Sequence, residues 1–223
     1  MSEKQQEEYI VDVQEAYSKT EDFVNTNKNV LSYVGFALIA VVGAYFGYKN
    51  LYLQPQIKES NELIWKAEYY FEQDSLDQAI NGDGNNFGFQ YIADNYSGTP
   101  AGKLAEYYLG VSYMRLGDYQ MAIDYLEGVD VADQLVSTVA LGSIGDCYVE
   151  LGNVDKAIAY FEKAANNNTN DFTTPLYLKK AGLAYMKTGN KAAALEAFET
   201  IKADFATSTE GREIEKYIAL ANS

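Results

Sequence analysis

Three stretches of this chain repeat one another at a spacing that a pair of helices fills. The first holds Leu109, Gly110 and Tyr113, then Leu116-Gly117-Asp118-Tyr119, then Ala122 and Leu126. The second holds Ile144, Gly145 and Tyr148, then Leu151-Gly152-Asn153, then Ala157, Phe161 and Ala164. The third holds Ala181, Gly182 and Tyr185, then Thr188-Gly189-Asn190, then Ala194 and Phe198. Gly110, Gly145 and Gly182 stand 35 and 37 residues apart. Each unit reads as a helix, a Gly-Asp or Gly-Asn turn, and a second helix. Small residues mark where paired helices approach too closely for a larger side chain. The aromatic residues fill the space between hairpins, and the turn glycine takes a backbone conformation that other residues resist. One such hairpin cannot bury its own apolar face, so the chain must stack several.

These positions resemble the tetratricopeptide repeat, whose pattern runs L-G-x-x-Y, then L-G-x-x-x-x-A, then F, then A. Leu126 replaces the aromatic residue in the first unit, Thr188 replaces a leucine in the third, and the closing proline is missing throughout. The expected fold is all-α: a single transmembrane helix followed by a tetratricopeptide-repeat α-solenoid of helix hairpins. Residues 57–96 read as a degenerate opening repeat, with Ala67, Tyr70 and Ala79 in place and an insertion at Asn81–Asn86. The run from Asp204 to Arg212 echoes the run from Asn95 to Lys103. That echo marks the last helix, opening at Thr207-Ser208-Thr209-Glu210, as the first half of a repeat used as a C-terminal capping helix.

The transmembrane expectation rests on Val30–Tyr48, nineteen residues without a charge between Lys28 and Lys49. A helix of that length is roughly 28 Å long, about the thickness of a bilayer's hydrocarbon core. Tyr33 on one side and Tyr45, Tyr48 and Tyr52 on the other fall where the two interfaces would lie. A buried core helix would need covering on all sides, and the residues ahead are too few and too polar for that. A cleaved signal peptide would need a basic start and a small-residue cleavage site, whereas the preceding segment has three Lys against seven Asp and Glu. The expected organisation is therefore a short acidic tail over 1–29, a transmembrane helix over 30–48, a juxtamembrane linker over 49–56, and the repeat domain over 57–223. In the tail, Tyr9, Val13 and Tyr17 give one mildly apolar helical face. Gly43 and Gly47 form a G-x-x-x-G pair, the kind that admits a second helix closely. Lys19 and Lys28 on one side nearly balance Lys49, Lys58 and Lys66 on the other, so charge alone leaves the orientation open.

Catalysis finds little support. The chain has no histidine, removing the commonest general base and metal ligand together, and its one cysteine, Cys147, allows neither an intrachain disulfide nor a thiolate metal site. Asn81-Gly-Asp-Gly-Asn-Asn86 lacks the alternating oxygen ligands and closing glutamate of a calcium loop and reads as a plain turn. A net charge of −15 argues against nucleic acid. No enzyme activity, cofactor, metal or small-molecule substrate is expected; the partners are proteins, with the membrane held through one helix.

In this repeat the first helix of each hairpin lines the concave side. The positions resembling groove positions are Tyr107, Val111, Met114 and Arg115 in the first unit, Asp146, Val149 and Glu150 in the second, and Lys179, Leu183, Met186 and Lys187 in the third. Some members clamp a C-terminal carboxylate there with Lys and Asn; those places hold Tyr107 and Val111. The alternative is that these residues pack against a terminal helix of the same chain.

The whole layout resembles the YfgM-like family of ancillary SecYEG translocon subunits. That family has a short acidic cytoplasmic tail, one inner-membrane span and a periplasmic tetratricopeptide domain. Glu21-Asp-Phe-Val-Asn25 and Lys28 ahead of the span, and Gly43–Lys49 closing it, carry the likeness together with the repeats. The resemblance implies a binding protein that links secreted polypeptides to periplasmic chaperones. A structural scaffold of a cell-envelope or secretion assembly remains the other reading.

Overall fold

The computed structural model describes the backbone of residues 3–223 and the side chains of residues 17–223. The face carried by Tyr9 and Val13 lies outside the described side chains. The chain divides into two units, one ending at Pro55 and the other running Gln56–Ser223.

The first unit is α1 (Glu3–Gly47) followed by a π-helical turn, Tyr48–Leu53. Helix α1 begins well ahead of the uncharged run, so the segment before Val30 is helical rather than irregular tail. By length and composition this is a helix able to cross a membrane, and none of its apolar window is buried. Phe36, Ile39 and Val41 are all more than two-thirds exposed. The expected span ends one residue past α1, at Tyr48, inside the π-turn. That turn has a local cause. Pro55 has no N–H to donate back to the carbonyl four residues earlier, and the Gln54 N–H reaches five residues back to Lys49 instead.

The second unit is a stack of hairpins. Its helices are α2 (Gln54–Glu72), which begins at the unit boundary, α3 (Leu76–Asn81), α4 (Phe89–Tyr96), α5 (Pro100–Leu116) and α6 (Tyr119–Glu127). Then follow α7 (Gln134–Glu150), α8 (Val154–Asn167), α9 (Thr173–Lys187), α10 (Lys191–Asp204) and, after a 3-10 turn at Gly211–Glu213, α11 (Ile214–Ala221). The three hairpin turns are built alike. Gly117, Gly152 and Gly189 have φ of 82°, 75° and 80°, which a side chain would resist. The next residue's N–H donates back to the motif tyrosine: Asp118 to Tyr113 at 2.9 Å, Asn153 to Tyr148 at 2.8 Å, Asn190 to Tyr185 at 2.9 Å. The same Asp or Asn then caps the second helix, accepting from the N–H of Met121, Lys156 or Ala193.

Within each hairpin one side chain occupies the space a missing one leaves. A β-carbon on Gly145 would fall 2.5 Å from the Phe161 ring; one on Gly110 would fall 2.5 Å from Leu126, and one on Gly182 would strike Phe198. Each pair is separated by sixteen residues. Ala122, Ala157 and Ala194, fully buried, hold the other point of close approach. Three buried clusters run along the stack: one around α4 and α5, one around α7 and α8, and one around α10 and α11.

The opening repeat and the cap also take the expected form, with small shifts. Ala67 and Ala79 are fully buried. The Asn81–Asn86 insertion is folded around Asp83, whose carboxylate accepts from the N–H groups of Asn85 and Asn86 and from the Tyr70 hydroxyl at 2.5 Å. Those bonds hold the Asp83 carboxyl well below the usual range, the Tyr70 hydroxyl contributing most. The loop delays α4 to Phe89 rather than Phe87. The sequence echo is a structural one. Thr99 and Ser208 donate to the Tyr96 and Phe205 carbonyls at 2.8 and 2.7 Å and accept from the N–H of Gly102 and Gly211. A β-carbon on either glycine would collide with the same Tyr96 or Phe205 carbonyl.

Replacing Gly145 with leucine forces Phe161 out of its seat. The expected cost is about 3 kcal/mol, the upper range for overpacking a filled core. Thermal or denaturant melts of the full chain in mild detergent check this; an unchanged midpoint would remove the glycine–aromatic fit as the basis of the hairpin.

Candidate partner-binding groove

The first helices of successive hairpins pack directly on one another, α5 on α7 and α7 on α9. Between the second helices shallow clefts open, the one among α6, α7 and α8 enclosing about 340 Å³ beside Leu126, Ile144 and Tyr160. The first helices therefore form the inner, concave side of the stack, and the second helices the outer side.

Tyrosine hydroxyls stitch the hairpins together along the outer side. Tyr125 donates to Gln90 at 2.7 Å and Tyr160 to Glu127 at 2.6 Å, each reaching the second helix of the preceding repeat. Tyr113 stacks on Tyr125, and the Tyr148 and Tyr160 rings meet at a 30° tilt, both pairs with ring centres 5.5 Å apart. In the third hairpin Ala197 stands where those second-helix tyrosines stand, and Tyr185 instead donates to Glu162 at 2.6 Å.

On the concave side, Tyr107, Val111, Met114 and Val149 lie half-buried against the central cluster. Met186 packs on the C-terminal cluster, and Leu183 stays 39% exposed. The apolar floor is thus in two parts. Arg115 turns toward the end of α2: its guanidinium lies 4.4 Å over the Phe71 ring, an N–H reaches the Phe71 carbonyl at 3.4 Å, and Asp74 is 3.6 Å away. Lys179 sits 5.3 Å over the Tyr217 ring of the cap. Glu150 and Lys187 are exposed at the ends of their helices. Asp146 accepts from Lys180 of α9 at 2.6 and 2.8 Å.

Two residues of this face escaped the sequence reading, Tyr177 and Lys180. The position in α7 equivalent to Tyr107 is Gly142, which leaves a gap in the row. The Tyr177 ring lies against Gly142 and fills it, in direct contact with the place a β-carbon would occupy. That glycine was the available signal, since an unfilled place on a packed face must be filled from elsewhere. Burial pushes the Tyr177 phenol well above its ordinary value, and the nearby Asp146 charge adds to it. Burial also raises Tyr107, against the pull of Arg115. At the acidic end of the face, Glu68 is raised by burial while Tyr108, its hydrogen-bond partner, is pushed up to about 12 by burial and the Glu68 charge. Nothing among the described residues gathers three metal-ligating side chains.

The hydroxyl and the ring of Tyr177 separate cleanly. Tyr177→Ala empties the gap over Gly142 and is expected to cost about 3 kcal/mol or more. Tyr177→Phe is expected to cost under about 1 kcal/mol, because the hydroxyl has no hydrogen-bond partner among the described residues. Comparing the two melting midpoints checks the assignment.

Sequence models of the tetratricopeptide repeat match residues 104–129, 139–171 and 179–208. No curated protein matches the chain. The matched segments coincide with the three hairpins α5–α6, α7–α8 and α9–α10: residues 104–208 carry three successive tetratricopeptide repeats, a fold that serves protein–protein interaction.

Proposed function

We propose that this chain is a membrane-anchored, non-enzymatic binding protein whose concave face receives segments of other proteins. Its setting would be that of an ancillary translocon subunit, linking secreted polypeptides to periplasmic chaperones. The supporting observation is the makeup of the concave face: half-buried Tyr107, Val111 and Met114, exposed Leu183, and charged side chains interspersed among them. Methionine is adaptable and tyrosine amphipathic, so such a floor accepts several sequences at modest affinity rather than one tightly. Transient handover requires that, whereas a fixed assembly requires a larger, specific interface. The uncovered apolar helix supports the anchor, and the likeness of the layout to YfgM-like proteins supports an inner-membrane location with the repeats in the periplasm.

Two experiments test this reading. Alkaline phosphatase fused after Ser223 should be active and the fusion after Asn29 inactive; activity only at Asn29 would reverse the topology. Replacing Tyr107 and Met186 together with aspartate should abolish crosslinking to translocon subunits, chaperones and unfolded clients, with helicity and membrane insertion retained. Crosslinking that survives the double change would move the binding site off the concave face.

A further inference from the structure

The concave face holds a polar constellation that hairpin packing does not require. Tyr177 is only 4% exposed, yet its hydroxyl has no hydrogen-bond partner among the described residues. Among the described residues no fully buried side-chain polar atom lacks a partner, so this hydroxyl touches solvent. The Asp146 charge and the Tyr107 phenol both act on that hydroxyl. The Asp146 carboxylate meets the Lys180 ammonium with both oxygens, and the two side chains remain 38% and 32% exposed. The same ammonium stands 5.7 Å from the Tyr177 ring centre and 5.6 Å from that of Phe161. One half-exposed carboxylate beside two largely buried rings thus forms a socket, with a lysine of the same chain inside it.

We infer that this socket receives a basic side chain, an arginine above all, from the segment bound along the concave face. Asp146 supplies the counter-charge, the Tyr177 hydroxyl a polar contact and the half-buried Tyr107 ring a face, and Lys180 is the resident cation. The inference rests on the reading of the concave face as the partner groove.

The physical case turns on which cation the socket prefers. A half-exposed ion pair is weak and opens readily. Lysine is a compact, strongly hydrated charge, and a displaced Lys180 returns its ammonium to water along a flexible stem. A guanidinium is less hydrated, matches a carboxylate with two parallel N–H donors, and stacks on aromatic rings. Arginine therefore gains more from the socket than Lys180 loses on leaving it. A partner carboxylate would face Asp146 and be repelled, in keeping with Tyr107 and Val111 standing where a carboxylate clamp would hold Lys and Asn. Val111 and Val149, one turn beyond Tyr107 and Asp146, offer apolar contact to the flanking residues of the partner.

The test uses the full chain in lipid nanodiscs and three fluorescent peptides, extended and apolar, alike except for a central arginine, norleucine or glutamate. Anisotropy titrations should show the arginine peptide binding about tenfold tighter than the norleucine peptide, and the glutamate peptide weakest. Asp146→Asn should erase the arginine preference, and Lys180→Met should widen it. The double variant, which removes both charges and leaves no unpaired lysine, should again bind the arginine and norleucine peptides alike. Equal binding of those two peptides to the unaltered protein, lost on Tyr107→Asp, would overturn the socket while leaving the groove. No binding by any of the three would overturn the groove and the socket together.

Discussion

The seating of a large side chain where its neighbouring helix has none holds this structure together. Gly110 under Leu126, Gly145 under Phe161 and Gly182 under Phe198 bring the two helices of each hairpin to the same close approach. Everything larger inherits that distance. The glycine turn spans it, the buried alanines of the second helices fit it, and successive first helices can then lie directly on one another. Leucine in the first hairpin shows what the seat demands. It asks for apolar volume on a short stem rather than for an aromatic ring as such.

The high tyrosine count follows from the stacking. A tyrosine ring fills the gap between hairpins, while its hydroxyl reaches a polar partner on the preceding repeat, so one residue both packs and aligns. Tyr125 and Tyr160 do this between second helices, and Tyr185 takes over where Ala197 interrupts the series. The stack closes at its C-terminal end with a reused element. The helix-entry geometry of Thr99 and Gly102 recurs at Ser208 and Gly211, and α11 covers the third hairpin as a further first helix would. The concave face is assembled from what those first helices leave uncovered, so its composition is free to vary while the stack stays constant.

The first unit obeys a different solvent. Its apolar helix has no protein cover, and its glycines have nothing within 4 Å. By length and composition it is a helix able to cross a membrane, and in lipid a helix satisfies its own backbone. The π-turn shows how that regularity ends. Pro55 removes one donor, and the turn ahead of it widens, the Gln54 N–H reaching five residues back to Lys49.

What the amino-acid order determined by itself is what repeats along the chain or is set between near neighbours in a helix or turn. The 35- and 37-residue period and the reused cap are repetitions, and the Gly-Asp and Gly-Asn turns with their caps, the glycine-to-aromatic spacing and the uncharged run are local patterns. Their physics of backbone hydrogen bonds, helical phase and local volume is written into neighbouring residues. The tertiary structure decided what crosses between hairpins. Arg115 reads as a groove residue in the sequence, and the end of α2 places Phe71 and Asp74 beside it. The Asn81–Asn86 insertion read as a plain turn, and only folding showed Tyr70 reaching Asp83 to pin it. Gly142 was an empty place in a row until α9 laid Tyr177 over it and set Lys180 on Asp146. These contacts join residues 13 to 44 positions apart, and those of Arg115, Tyr177 and Lys180 depend on the angle at which one rigid hairpin meets the next. No local pattern carries that angle, because it emerges only when all the side chains at the junction have been packed at once.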